Sequence, residues 1–341
     1  MIRIARAIAA SPFVNRWLAA ASRRGGILAY HGIVGDSERP GLLHLNASRL
    51  SAHLEELLAL RYQFISLSEM LSRLRAKRSV ERCIAATFDD AYAGLELALP
   101  ILKRLRVPAT VFVPTDSIGT GMPFWWDSIE RAAGTLSVDR LASWAGQICG
   151  GAIPRGREVE FVRAHIMRRE VGRPSAQVRH ALGSANVDAP LPPTLLPMDW
   201  RALRQWLQWE GATCAPHTVS HPVLPLLSRE EQRREIRDSY TRLRSETERV
   251  LPVIAYPFGL YDQSTIRAAC EAGMRYGVTM DRVGCAANEL MELRVPRLPF
   301  AGVTPVEQMG LFLSSPWRWY RRQDWRGGYP ALPGPAGVPA R

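Results

Sequence analysis

From Gly26 onward, short β-branched runs alternate with stretches of helical periodicity, and that alternation leaves few folds open to the chain. The runs ILAYHGI, QFISLS, CIAATFDD, ATVFVPT, ATCAPHT, VIAYPFG, YGVTM and RVPRLPF are each apolar, short and bounded by turn formers, as strands buried on both faces are. Between them, Leu50, Leu54, Leu57 and Leu58 mark one helical face. Ser228 with Glu231 makes a capping box ahead of a charged helix to about Val250, and Asp262 to Gly273 carries a cap at one end and a stop at the other. Repeated β–α units predict a parallel sheet, closed or doubly wound. No Gly-x-Gly-x-x-Gly follows the first strand, so the expectation is an α/β fold of the distorted (β/α) barrel kind. Residues from about 123 to 198 interrupt the rhythm with Trp-, Arg- and Pro-rich text and are expected to form a mostly helical insertion.

Charge excludes one class of function. The chain carries a formal +12, of which residues 1–26 hold +5 and residues 316–341 hold +4, leaving +3 for everything between. A basic groove through the core is therefore not expected, and no nucleic-acid partner is. Residues 1–26 can form a basic amphipathic helix with Ile4, Ile8, Val14, Trp17 and Leu18, either packed on the domain or resting on an anionic membrane surface. The end, 316–341, is a basic aromatic tail that becomes Pro/Gly-rich; an interfacial membrane contact, a partner contact and a solvated tail are all open readings. The barrel occupies residues 27–315. Five dispersed cysteines with no C-x-x-C pair point to a reducing compartment.

The chemistry begins at Thr87-Phe88-Asp89-Asp90, where an apolar strand runs out. Two adjacent carboxylates raise one another's pKa unless a cation or a proton holds them, although an Asp pair alone also serves as a helix cap or solvated turn. A second cluster is His217-Thr218-Val219-Ser220-His221, bracketed by Pro216 and Pro222, which favours a strand end turning into a loop over a helix. Two imidazoles and one carboxylate form a facial ligand set that leaves coordination positions open. Trp125-Trp126-Asp127 fits either a sugar-stacking surface or the core of the insertion.

These residues resemble the polysaccharide deacetylases, carbohydrate esterases with a NodB-like homology domain. That family's T-F-D-D-G appears as TFDDA (Thr87 to Ala91), its H-[ST]-x-x-H as HTVSH, and its R-x-P-Y-G region as AYPFG (Ala255 to Gly259), over a resemblance running from about Ile27 to Phe300. The resemblance implies that Asp90, His217 and His221 bind a divalent metal, with zinc expected, that Asp89 is the general base toward water, and that the backbone N–H of Phe258 donates to the oxyanion. The substrate implied is an N-acetylated glycan, attacked at the N-acetyl group of a hexosamine. Ala255 stands where many relatives carry an arginine that orients the base, leaving Arg294 and Arg297 as candidates to replace it. Tyr30-His31-Gly32 resembles a motif of the permuted branch acting on exopolysaccharides, which makes His31 the expected general acid; a satisfied core histidine is the alternative. The Ala91 and Ala255 departures leave room for a catalytically silent carbohydrate-binding barrel. The N-terminal segment lacks a clean export signal, so the expected setting is cytoplasmic, with a peripheral contact at the inner membrane face through the termini.

Overall fold

In a computed structural model the protein is described at residues 24–184, 190–281, 285, 286, 291–301, 304–306, 309 and 313. The expected N-terminal helix, but for its last residues, and the C-terminal tail lie outside the described residues. The chain order is β1 (Gly26–Tyr30), β2 (Ile33–Val34), β3 (Leu45–Asn46), α1 (Ala47–Ala59), β4 (Gln63–Phe64), α2 (Leu67–Arg75), β5 (Cys83–Phe88), α3 (Leu95–Leu105) and β6 (Ala109–Val113). Then come α4 (Trp125–Thr135), α5 (Val138–Cys149), α6 (Glu158–Arg168), α7 (Ala176–Ser184), α8 (Trp200–Leu207), β7 (Ala212–Pro216), α9 (Arg229–Glu246), β8 (Val253–Ala255), α10 (Gln263–Glu271), β9 (Tyr276–Val278) and β10 (Leu298–Pro299).

All ladders are parallel, in the order β10-β1-β5-β6-β7, with β4 beside the start of β5 and β8 paired with β9. Two short seams join these sets. Cys214 of β7 exchanges hydrogen bonds with Arg249 and Leu251 on the approach to β8, and Val295, before β10, bonds Gly277 and Thr279 at the end of β9. Hydrogen bonding therefore runs around a complete ring, and the mixed α/β fold is a distorted barrel.

Side chains alternate across that ring as the pleat requires. Ile27, Ala85, Phe112, Ala215, Val253, Ala255, Val278 and Val295 fill the interior, whose apolar cluster continues into Leu67, Met70, Leu71 and Leu74 of α2. Leu28, Ile84, Ala86, Phe88, Val111 and Cys214 face outward onto α1, α3 and α8. Because each inward set steps by two, the next position past the strand end is also inward: His31 continues Ile27, Asp89 continues Ala85 and Thr87, and His217 continues Ala215. The strands stop one to four residues short of the apolar runs in the sequence; after β1, β5, β7 and β8 those last residues include His31, Asp89, Asp90, His217 and Phe258.

Helix α1 buries Leu50, Leu54 and Leu57 as its periodicity predicts, whereas Leu58 is 38% exposed. Helix α9 begins at the Ser228–Glu231 capping box and ends at Glu246, short of Val250, because residues 249–251 are taken by the seam with β7. Helices α4 to α7 form a satellite with its own core of Trp125, Trp126, Ile129, Trp144, Ile148, Val162 and Ile166, joined to the barrel through Val34 and Tyr92. Replacing Ser228 with alanine removes the hydroxyl that accepts the Glu231 N–H, while the Ser228 N–H to Glu231 carboxylate bond can remain; it is expected to cost about 1 kcal/mol, read as a lower urea midpoint with an unchanged slope.

Candidate metal centre and its surroundings

Asp89 and Asp90 leave the end of β5 in opposite directions. Asp89 keeps the inward register, while Asp90, at φ 71°, and Ala91, at φ 51°, take left-handed backbone that turns the Asp90 carboxylate toward the loop after β7. Glycine adopts such a conformation freely, which gives a physical reason for the glycine in the related motif; Ala91 bears a penalty of about 1–2 kcal/mol there. Thr218 (φ 69°), His221 (φ 54°) and Phe258 (φ 57°) are left-handed as well. Five non-glycine residues in a disfavoured region around one point mark a place where backbone strain is concentrated.

Asp90 Oδ1 lies 3.5 Å from His217 Nε2 and 3.4 Å from His221 Nε2, and the two Nε2 atoms are 3.2 Å apart. All three side chains are buried. Among the described residues they are the one group of three potential metal-ligand side chains whose donor atoms lie within 4.8 Å of one another. The sides of this triangle match the ~3.3 Å ligand separation of a tetrahedral site with bonds of ~2.0–2.1 Å. His217 Nδ1 is 2.8 Å from the Ala255 carbonyl, which can only accept, so Nδ1 carries the hydrogen and Nε2 presents a lone pair to the centre. Asp90 Oδ1 has no hydrogen-bond partner among the described residues. Burial, then the negative charges of Asp89 and Asp127, holds the Asp90 carboxyl well above the usual carboxylate range, and burial pushes both imidazoles down. A cation bound among these three donors would offset the charge that burial disfavours on Asp90. The residues fit a divalent metal.

Asp89 sits in the opposite electrostatic state. Arg297 grips it with two parallel hydrogen bonds, Nη1 to Oδ1 at 2.7 Å and Nη2 to Oδ2 at 2.8 Å, and also reaches Thr87 Oγ1 and the Thr279 carbonyl. The guanidinium is wholly buried over the Phe112 ring. Burial alone would raise the Asp89 carboxyl, but Arg297, with help from His217 and His31, holds it far below the usual range. Of the two arginines proposed to replace the one missing at Ala255, Arg297 contacts the base position; Arg294 lies on the Tyr261 ring. His31 Nε2 stands 4.0 Å from Asp89 Oδ2, and burial, partly opposed by Asp89, pushes this imidazole down to about 4. His31 is thus neutral near pH 7.

Phe258 occupies a short 3-10 turn after β8 (Pro257–Gly259), with its ring 4.5 Å from that of His221. Trp125 and Trp126 prove to be packing groups: Trp126 lies 4.8 Å from the His221 ring and stacks on Phe124. Sequence reasoning missed the polar chain behind them. Trp126 Nε1 donates to Tyr92 OH, Tyr92 donates to Asp127 Oδ2, and His44 Nε2 lies 3.3 Å from Asp127 Oδ1, all of it buried. Asp127 directly follows the tryptophan pair, but nothing local in the sequence ties it to Tyr92 or His44.

The comparisons agree with this geometry. A family model described as polysaccharide deacetylase matches residues 76–137 and 176–277, the segments that carry the Asp pair, the histidine loop and the Phe258 turn. YxkH of Bacillus subtilis (strain 168), which carries a polysaccharide deacetylase name, is 22% identical over 257 residues, 75% of this chain; the chain spans 64% of that relative's length. Among solved structures, the Streptococcus pyogenes deacetylase PplD in complex with acetate superposes with a TM-score of 0.57 at 19% identity, covering 86% of this chain and 100% of that one. A de-N-acetylase from Aggregatibacter actinomycetemcomitans gives 0.53 at 17% identity, covering 85% and 100%. The chain belongs to the polysaccharide deacetylase family.

Removing the guanidinium tests the ion pair. In metal-free protein, Arg297→Met is expected to destabilise by about 3–5 kcal/mol near neutral pH, because a buried carboxylate loses its partner. The sign with pH is specific. In the wild type Asp89 is depressed, so its contribution is full above the unfolded pKa of about 3.9 and falls below it. In the variant burial raises Asp89, so stability is lost as pH rises past about 3.9. Urea midpoints of the two proteins should therefore converge as pH is lowered toward 4.

Proposed function

We propose that the chain is a metal-dependent hydrolase that removes N-acetyl groups from hexosamine residues of a polysaccharide or lipid-linked oligosaccharide. The observation that carries the proposal is the convergence of Asp90 Oδ1, His217 Nε2 and His221 Nε2 beside an Asp89 held ionised by Arg297. A bound divalent cation, zinc in this reading, would supply Lewis acidity, lowering the pKa of a water toward neutrality and polarising the amide carbonyl.

The chain's own residues would do the rest. Asp90, His217 and His221 hold the ion. Asp89, kept as a carboxylate, accepts the proton of the attacking water, and Arg297 fixes its orientation. The Phe258 backbone N–H donates to the oxyanion that forms on the former carbonyl. The C–N bond then breaks, acetate leaves, and the amine needs one proton. His31 is the group assigned to deliver it; as it is neutral at rest, it must take that proton up during turnover, and Asp89 is the acid formed 4.0 Å away. Resemblance to the exopolysaccharide-acting branch supports a polymeric or precursor glycan as substrate. Concentration of basic charge at the two ends supports a peripheral station at the inner, cytoplasmic membrane face; among the described residues no helix is long and apolar enough to cross a membrane.

Acetate release from N-acetylglucosamine oligomers in the presence of zinc or cobalt tests the activity. Release is expected; metal-loaded protein that releases none across a panel of N-acetylated glycans would instead be a carbohydrate-binding barrel. Asp89→Asn should retain metal and lose turnover, whereas His217→Ala should lose the metal, as read by metal analysis of the purified chains. His31→Ala should slow turnover by roughly a hundredfold or more with metal content unchanged; a wild-type rate would move the proton-donor role to another group.

A further inference from the structure

The two histidine ligands are four residues apart, a spacing that a helix would align without help. Here Pro216 and Pro222 exclude the helix, and the loop bends back through left-handed Thr218 and His221 instead. Each such residue is disfavoured by about 1–2 kcal/mol, so something must hold the loop in that shape.

A buried carboxylate from the following helix does so. Glu235 Oε2 accepts the backbone N–H groups of both Val219 and Ser220 at 2.9 Å, and its Oε1 accepts the Ser220 hydroxyl at 2.7 Å. Consecutive N–H groups next to a left-handed residue make a concave anion site, and Glu235 fills it from within the chain. Arg173, from the insertion, stands 3.5 Å from Glu235 Oε1 and supplies a countercharge. The carboxylate is fixed on α9, whose Ile236, Ser239 and Leu243 are buried beside it. Glu235 is bonded to two of the three residues between the ligands, Val219 and Ser220, and to neither imidazole.

We infer that Glu235 is a positioning residue for the metal centre, holding the Thr218–Ser220 bend so that the His217 and His221 Nε2 atoms converge with Asp90. This rests on the metal site proposed above. Metal affinity and coordination geometry, read on the full-length chain, separate it from a merely structural role. Zinc affinity is measured by competition with a chromophoric chelator, and the visible absorption of the cobalt-loaded protein reports ligand geometry. Loss of outer hydrogen-bond partners of ligands typically weakens metal binding about 10–100-fold. Glu235→Ala is expected to fall in that range with an altered cobalt spectrum. Glu235→Gln, which keeps one carbonyl acceptor, should recover part of the affinity. If the alanine variant does not fold, Ser220→Ala, which deletes one donor alone, is expected to weaken zinc binding severalfold. A folded Glu235→Ala, or failing that Ser220→Ala, with wild-type zinc affinity and cobalt spectrum overturns the assignment. A wild-type chain whose zinc binding is indifferent to His217→Ala would overturn the metal site itself, and with it this inference.

Discussion

Two neighbouring carboxyl groups at the end of β5 are pushed in opposite directions by their surroundings, Asp89 down by Arg297 and Asp90 up by burial, and the site depends on that separation. Like charges so close cannot both remain ionised in a buried setting without help. Arg297 pins the negative charge on Asp89, while Asp90, whose Oδ1 has no hydrogen-bond partner among the described residues, is raised and faces two imidazoles that burial pushes down. In the proposed reaction the first would serve as the base and the second as a metal ligand. The division follows from backbone as much as from charge, since Asp89 keeps the strand's alternation and Asp90 breaks it at positive φ.

The parallel barrel geometry makes such a site inexpensive to assemble. Every strand ends on the same face, and the position following each inward-facing residue pair points to the same mouth. His31 from β1, Asp89 from β5, His217 from β7 and the Phe258 turn after β8 arrive there from four separate strands. Arg297, on the approach to β10, brings a guanidinium from the last part of the described chain to Asp89, 208 residues earlier.

Much of this was legible in the sequence. The apolar runs located the strands, because buried parallel strands need no partner information to be recognised, and the Asp pair and the H-x-x-x-H carried chemistry in their spacing. The choice between Arg294 and Arg297 was not legible: both flank the same valine–proline pair, and only the register of the seam with β9 turns one inward to Asp89 and leaves the other on Tyr261. Nor could composition decide whether Trp125 and Trp126 face sugar or core, since aromatic side chains serve both. The neutral resting state of His31 depends on how many surrounding groups exclude water, which no local pattern encodes. The terminal segments, read from charge alone, lie outside the described residues.

The insertion between β6 and β7 looks like an appendage with a core of its own, yet it touches the histidine loop at several points. Trp126 lies on the His221 ring, the Val171 carbonyl accepts the Val223 N–H, and left-handed Gly172 leaves so little room that a β-carbon there would press on the Phe258 ring and the His221 carbonyl. The two segments consequently share one mould. A chimera that imported a foreign insertion, or a foreign histidine loop, without its counterpart would inherit mismatched halves of a single surface, so divergence in either is constrained to proceed in step with the other.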